Sequence, residues 1–279
     1  MNQNTLRDTV VFEGVGIHTG RRGRVIVEPA PEHTGRCFVV EGTEIPARVE
    51  NVIDTARCTT LGKEGAKVST VEHLLSALYA YDIDNALIYV EGVEIPILDG
   101  SSLPFVEAIE GVGVEKQGAV ANLLTLEKTV MVQDRNSTIY ASPADAYEVV
   151  ATTTFEGWDA GTATCGCVLN TSIGYRAEVA PARTFAFNFE VERLLASGLA
   201  QGGSLENALI ISPPNGFSTP LRLEQEWCRH KILDVVGDLS LLGVRFKMKV
   251  DAIRTGHRLN VRLVQALVAH IASGSRLED

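Results

Sequence analysis

Each half of this chain opens with short strand-like runs and closes on helical ones, and that order restricts the fold more than any other feature. In the first half the strand-like runs are Val10-Val11-Phe12, 24–28 and 37–40, separated by Gly-rich or Pro-rich turns. A helix is predicted over 69–81, where Val71, Leu74, Leu75 and Leu78 recur at i, i+3, i+4 and i+7 and share one face. Residues 85–91 read as a strand, 95–102 as a loop, 104–110 as a helix and 111–118 as a linker. The second half repeats the scheme. Strands are predicted at 123–133, 137–141 and 148–154, a short helix at 190–197 and the longest helix at 221–242. A strand over 246–253 and a helix over 259–272 close the chain. Strands first and helices later, twice over, predict an α+β fold of sheet and helix layers.

A length of 279 residues suits one large domain or two ordinary ones. The 35 acidic residues outnumber the 25 Lys and Arg, for a formal charge of −10. Nucleic-acid binders normally carry the opposite balance, so no nucleic-acid partner is expected. An anionic small substrate would need a locally basic pocket. The longest uncharged stretches, 160–175 and 207–221, are rich in Thr, Gly, Pro and Asn and do not suit lipid, so no transmembrane segment is expected. Residues 1–9 are polar and lack a signal-peptide apolar run. Cys37, Cys58, Cys165, Cys167 and Cys228 are odd in number and irregularly spaced, which fits reduced thiols in the cytoplasm.

The strongest local signal for chemistry is His230-Lys231-Ile232-Leu233-Asp234-Val235-Val236-Gly237-Asp238. On a helix each residue advances by about 100°, so His230, Asp234 and Asp238 fall on one stripe. Cys228, Ile232, Val235, Val236 and Leu239 fall on the opposite side, which predicts that the polar stripe faces away from the core. An imidazole and a carboxylate at i and i+4 can hold one divalent ion; the same pair also suits a solvated helix face. In Ser69-Thr70-Val71-Glu72-His73, Ser69 and Glu72 have the spacing of a capping box, which would give Glu72 a structural role. The Glu-His dipeptide equally suits a general base beside a metal ligand. Two histidines and a carboxylate leave a fourth position for water, the ligand set of a catalytic zinc site. His257, beside Gly256 and between a strand and a helix, is expected on a loop as an exposed imidazole. Cys165-Gly166-Cys167 lacks a second ligand pair and is rejected as a metal clip. No role is inferred for His18, His33 or His270.

Read together, nine segments resemble one family in order and over almost the whole chain, the UDP-3-O-acyl-N-acetylglucosamine deacetylases. They are Gly14-Val15-Gly16-Ile17-His18-Thr19-Gly20, Cys58-Thr59-Thr60-Leu61, Ser69-Thr70-Val71-Glu72-His73-Leu74, Ile83-Asp84-Asn85, Glu94-Ile95-Pro96-Ile97-Leu98-Asp99-Gly100-Ser101, Ala182-Arg183-Thr184-Phe185, Leu199-Ala200-Gln201-Gly202-Gly203-Ser204, the segment from His230 to Asp238, and Gly256-His257. The resemblance implies two α+β domains of similar layered topology, 1–118 and 119–279, with helices sandwiched between two sheets. It implies hydrolysis of the N-acetyl group of UDP-3-O-acyl-N-acetylglucosamine in lipid A synthesis, with one Zn2+ per chain on His73, His230 and Asp234. Glu72 maps onto the family's general base, His257 onto its protonated His, Asp238 onto the carboxylate orienting that His, and Thr184 onto its oxyanion-binding Thr. Lys231 maps onto a substrate-holding Lys, Phe155 onto the aromatic that stacks on uracil, and Arg254 onto a basic residue near the diphosphate. An insert at about 176–205, including Phe185, matches an apolar passage for the acyl chain.

The chain departs from the family pattern at Ala186, where many relatives carry Gly, and in Glu156-Gly157-Trp158-Asp159. With the chain ending at Asp279, no fused dehydratase domain is expected, and a monomer is. The competing readings are a zinc amidohydrolase acting on another acetylated sugar, and a non-catalytic α+β binding module.

Overall fold

The computed structural model describes the whole chain except Glu156, Gly157, Asp159, Ala160, Asn170, Asn215, residues 273–276 and Asp279, with backbone only for Leu277 and Glu278. Two sheets lie on the outside and the main helices between them. The first sheet has five strands in the order Val10–Val15, Arg22–Pro29, Ala86–Glu91, Arg36–Val40, Thr43–Pro46. Its pairings run antiparallel, antiparallel, parallel, antiparallel. In the second sheet Val130–Asp134, Ser137–Pro143, Arg245–Ile253, Glu148–Thr153 and Ala163–Val168 follow one another with the same four senses. The late strand of each half, Ala86–Glu91 or Arg245–Ile253, is therefore central to its sheet, inserted between strands that precede it in sequence. Leu123–Thr125 extends the second sheet beside Arg245–Ile253, and Leu277–Glu278 pairs with Leu123–Thr125 in turn.

Alternating burial marks the inner face of each sheet. Val149, Ala151 and Thr153 point inward from one strand, and Ala163, Cys165 and Cys167 from its neighbour. The two thiols of the Cys-Gly-Cys motif are thus core side chains on one strand face. Six α-helices are described: α1 (Glu72–Ala80), α2 (Leu103–Val112), α3 (Ser172–Glu178), α4 (Asn188–Ala196), α5 (Glu226–Leu239) and α6 (His257–Ala272). Helix α2 packs on the first sheet, its Phe105 ring 4.8 Å from Phe12. Helices α5 and α6 cover the second sheet, and α1 packs across α5, so one apolar core runs through all the layers. The α+β layering expected from the order of elements is present. Helix α4 and the short strands Phe185–Phe187, Leu209–Ser212 and Gly216–Phe217 form a separate small unit beside the helix layer. Among the described residues no helix is long and apolar enough to cross a membrane.

Several boundaries differ from expectation. Residues 111–118 are not a linker: α2 runs to Val112, and Val114–Val120 is a strand paired with the N-terminal Asn2–Leu6. The predicted strand at 123–133 is two strands, broken between Thr125 and Val130. Helix α5 begins at Glu226, not 221, because Gln225 is left-handed (φ 53°) and the Glu226 carboxylate is held by Arg183 and by the Arg222 N–H. It ends in a 3-10 turn, Ser240–Leu242, stopped by left-handed Gly243.

Candidate active site

Helix α1 starts at Glu72, and its first turn points into the interface with α5. The capping box does not form. Ser69 accepts the Thr60 hydroxyl at 3.0 Å, while Glu72 Oε2 accepts the backbone N–H of Thr59 at 3.1 Å. Its spacing fits a cap, but the Glu72 side chain is turned away from that role and buried in the cleft.

From the facing side α5 presents His230, Asp234 and Asp238. These are buried like the apolar residues opposite them, because α5 is enclosed by α1, α6 and the second sheet. The expected stripe is real, but it faces a second interior layer, which removes the solvated-face reading. Close approach of the helices depends on Gly237, where a Cβ would lie 2.2 Å from the Glu72 carbonyl oxygen. The His73 and His230 rings then stand edge to face at 5.1 Å. One ligand atom from each of His73, His230 and Asp234 lies within 4.8 Å of the others.

The chemistry of this trio suits a divalent ion. His230 Nδ1 donates to the Ala182 carbonyl at 3.0 Å, which leaves Nε2, 3.3 Å from Asp234 Oδ1, as the free ligand atom. Burial and the adjacent His230 push His73 down to about 3, and burial also lowers His230, so both rings are neutral as metal ligands must be. Against the cost of burial, the Lys231 ammonium at 2.8 Å holds Asp234 ionised. His73 Nδ1 is buried with no hydrogen-bond partner. Such an orphan beside two more donors is what a cation would satisfy.

His257 is not the exposed loop residue predicted. It is the first residue of α6 and is buried against α5. Its Nδ1 donates to Asp238 Oδ2 at 2.9 Å, and its Nε2 lies 3.7 Å from Glu72 Oε1. Asp238 also accepts the Thr59 hydroxyl at 2.6 Å and the Asn260 amide at 2.9 Å. Burial raises Glu72 to about 8, with Asp238 and Asp234 adding to the rise and His257 opposing it. Burial opposes charge on His257 too, but Asp238, Glu72 and Asp234 outweigh it and raise the imidazole to about 10. The carboxylate and the imidazole, each favouring the charged form of the other, both face the cleft.

Glu72, His73, His230, Asp234 and His257 open onto a cavity of about 1430 Å³. Thr184, Phe185, Phe155, Lys231 and Arg254 line the same cavity. Asp238 does not; it stands behind His257. The Lys231 ammonium lies 5.3 Å over the Phe185 ring, and Phe155 meets Phe185 and Phe187 edge-on at 5.8 and 4.8 Å. Glu156, Gly157 and Asp159, where the chain departs from the family pattern, lie outside the described residues. Sequence reasoning missed Thr59, Asn260 and the buried Arg183–Glu226 ion pair (2.7 Å). Thr59 lies in the quoted Cys58-Thr59-Thr60-Leu61 segment, but a threonine there carries no chemical signature of its own. His18, given no role, also lines the cavity.

Fold and cleft together define an enzyme of the hydrolase type. A family model described as UDP-3-O-acyl N-acetylglycosamine deacetylase matches residues 3–269, and the chain belongs to that family. It is 39% identical to the UDP-3-O-acyl-N-acetylglucosamine deacetylase of Anaeromyxobacter dehalogenans (strain 2CP-C), covering 98% of this chain and 89% of the relative. The Aquifex aeolicus (strain VF5) enzyme of the same name is 40% identical over 95% of this chain and 92% of its own length. That of Myxococcus xanthus (strain DK1622) is 39% identical over 96% and 87%.

Proposed function

We propose that this enzyme hydrolyses the N-acetyl group of UDP-3-O-acyl-N-acetylglucosamine, giving acetate and the free amine in lipid A synthesis, with one zinc ion held by His73, His230 and Asp234. The observation that carries the reading is the convergence of those three buried side chains from two helices, beside a carboxylate–imidazole pair. Zinc bound there would polarise the acetyl carbonyl and acidify the attacking water. The remaining steps belong to the protein. Glu72 takes a proton from water as its oxygen bonds to the carbonyl carbon. The Thr184 hydroxyl and the positive His257 face the developing oxyanion. As the C–N bond breaks, the amine leaves with a proton from His257 or from Glu72, and Asp238 keeps the His257 ring aligned.

Lys231 and Arg254 supply positive charge for an anionic nucleotide sugar in a chain of net charge −10. Phe155 offers a face for uracil. Phe185, Phe187, Leu194 and Leu195, all in the insert at about 176–205, offer an apolar wall for the acyl chain, with Ile210 lining the same cavity. On this reading an N-terminal domain, 1–118, carries Glu72-His73, and a C-terminal domain, 119–279, carries the α5 ligands. The five cysteines are all free thiols, which supports a cytoplasmic setting. The test is mass spectrometry of UDP-3-O-acyl-N-acetylglucosamine incubated with the pure protein, beside N-acetylglucosamine alone. Loss of acetyl from the nucleotide sugar only is expected. Equal turnover of the simple sugar, or none of either, refutes the assignment.

A further inference from the structure

We infer that Thr59 is a positioning residue of this active site, one that sets the geometry of Glu72 and His257 together; the inference rests on the function proposed above. Thr59 stands between the strands Val52–Asp54 and Thr60–Lys63 and is fully buried. Every polar group it has is used at the helix interface. Its N–H donates to Glu72 Oε2 at 3.1 Å, and its carbonyl accepts the N–H of Val71, the residue before α1, at 3.3 Å. Its hydroxyl donates to Asp238 Oδ1, on α5, at 2.6 Å. Among the described residues it is the one hydrogen-bond partner common to Glu72 and Asp238.

The consequence is geometric. With Oε2 pinned by Thr59, Glu72 presents Oε1 toward His257 Nε2, 3.7 Å away. Asp238 has Oδ1 held by Thr59 and Oδ2 by His257 and Asn260, so its carboxylate plane is fixed at both ends. Removing the Thr59 hydroxyl leaves Oδ1 without its partner and frees the carboxylate to turn. The His257 ring turns with it, because Asp238 is what fixes Nδ1. The metal trio is untouched, since Thr59 bonds to none of its side chains. Gly237 and the Glu72 peptide in direct contact keep the two helices at the distance this bridge needs.

Thr59→Val tests the inference, because it keeps the branched shape and both backbone bonds and removes only the hydroxyl. The expected result is a kcat for the nucleotide sugar lowered about 10- to 100-fold, with KM within about twofold and zinc content unchanged. Thr59→Ser, which keeps the hydroxyl, restores kcat to within about threefold of wild type. In an Asp238→Asn background Thr59→Val adds little further loss, because Thr59 acts through that carboxylate. A purely structural hydroxyl would lower the melting temperature alone; a valine variant with wild-type kcat overturns the inference. So does a valine variant that loses zinc, or an equal further loss in the Asp238→Asn background. If Thr59→Val and Thr59→Ala both fail to fold while Thr59→Ser is active, the hydroxyl serves stability and the inference also falls. A wild-type protein that leaves the substrate intact refutes the proposed function itself, and that control is read first.

Discussion

Glu72 begins a helix, where the backbone N–H groups favour a negative charge, yet it is buried beside two other carboxylates, which disfavour one. The balance keeps its carboxyl well above the usual carboxylate range, where a base working near neutral pH is effective. Glu72→Ala is therefore expected to retain zinc and lose on the order of 10² to 10⁴ in rate, measured by metal analysis and steady-state turnover. A variant that only melts earlier at full activity would return Glu72 to a capping role. His257 gives a pH prediction. Its neighbours hold it protonated, and a proton donor is lost as pH rises through its own value, so it supplies the alkaline limb of kcat/KM. His257→Gln should lower the rate and remove that limb; an unchanged limb assigns it to another group. The pairing of His230 with Asp234 was legible from their i, i+4 spacing, whereas their meeting with His73 was expected from the family resemblance. Glu72 was ambiguous because one spacing fits both a cap and a base. Thr59 and Asn260 were not legible, since their roles exist only where α1, α5 and α6 meet.

At the scale of elements, α5 organises the site. It brings His230, Asp234 and the Asp238 carboxylate from one helix, and the carbonyls at its C-terminal end are held by the N-terminal half: Arg36 donates to the Ser240 carbonyl at 2.9 Å and Arg48 to that of Leu242 at 3.1 Å. Gly237 sets how near it comes to α1. Gly237→Ala should force the helices apart, cost about 1–3 kcal/mol of stability and weaken zinc binding about tenfold or more, read by thermal melts and metal titration. Wild-type zinc affinity in a folded Gly237→Ala protein would show that the close approach does not matter to the site. Helix interiors were legible from their apolar periodicity, and helix ends were not. The start of α5 is decided by Arg183, more than 40 residues earlier in the chain. The strand Val114–Val120 was hidden because its residues are exposed or half-buried, leaving a Gly-containing polar stretch that reads as a linker.

Across the whole molecule, the same strand order and the same four pairing senses occur in both sheets, and the proposed active site lies where α1 meets α5 and α6. The α+β class was legible from element order. The similar layering of the two halves was expected from the family resemblance, but the strand order within each sheet was not read, because a late strand inserted between earlier ones is a long-range event with no local mark. The site joins groups from both halves, while the apolar core runs through every layer without help from an ion. A zinc ion held by His73, His230 and Asp234 would thus serve catalysis and not support the fold, and chelation should silence the enzyme without unfolding it. The most direct measurement of the central claim is a zinc titration of chelated protein, following deacetylation of the nucleotide sugar and bound metal together, in wild type and in His230→Ala. Activity in the wild type should rise with bound zinc and saturate at about one ion per chain, while His230→Ala binds none tightly and stays inactive. Full turnover by metal-free protein, or wild-type zinc content in His230→Ala, would contradict it.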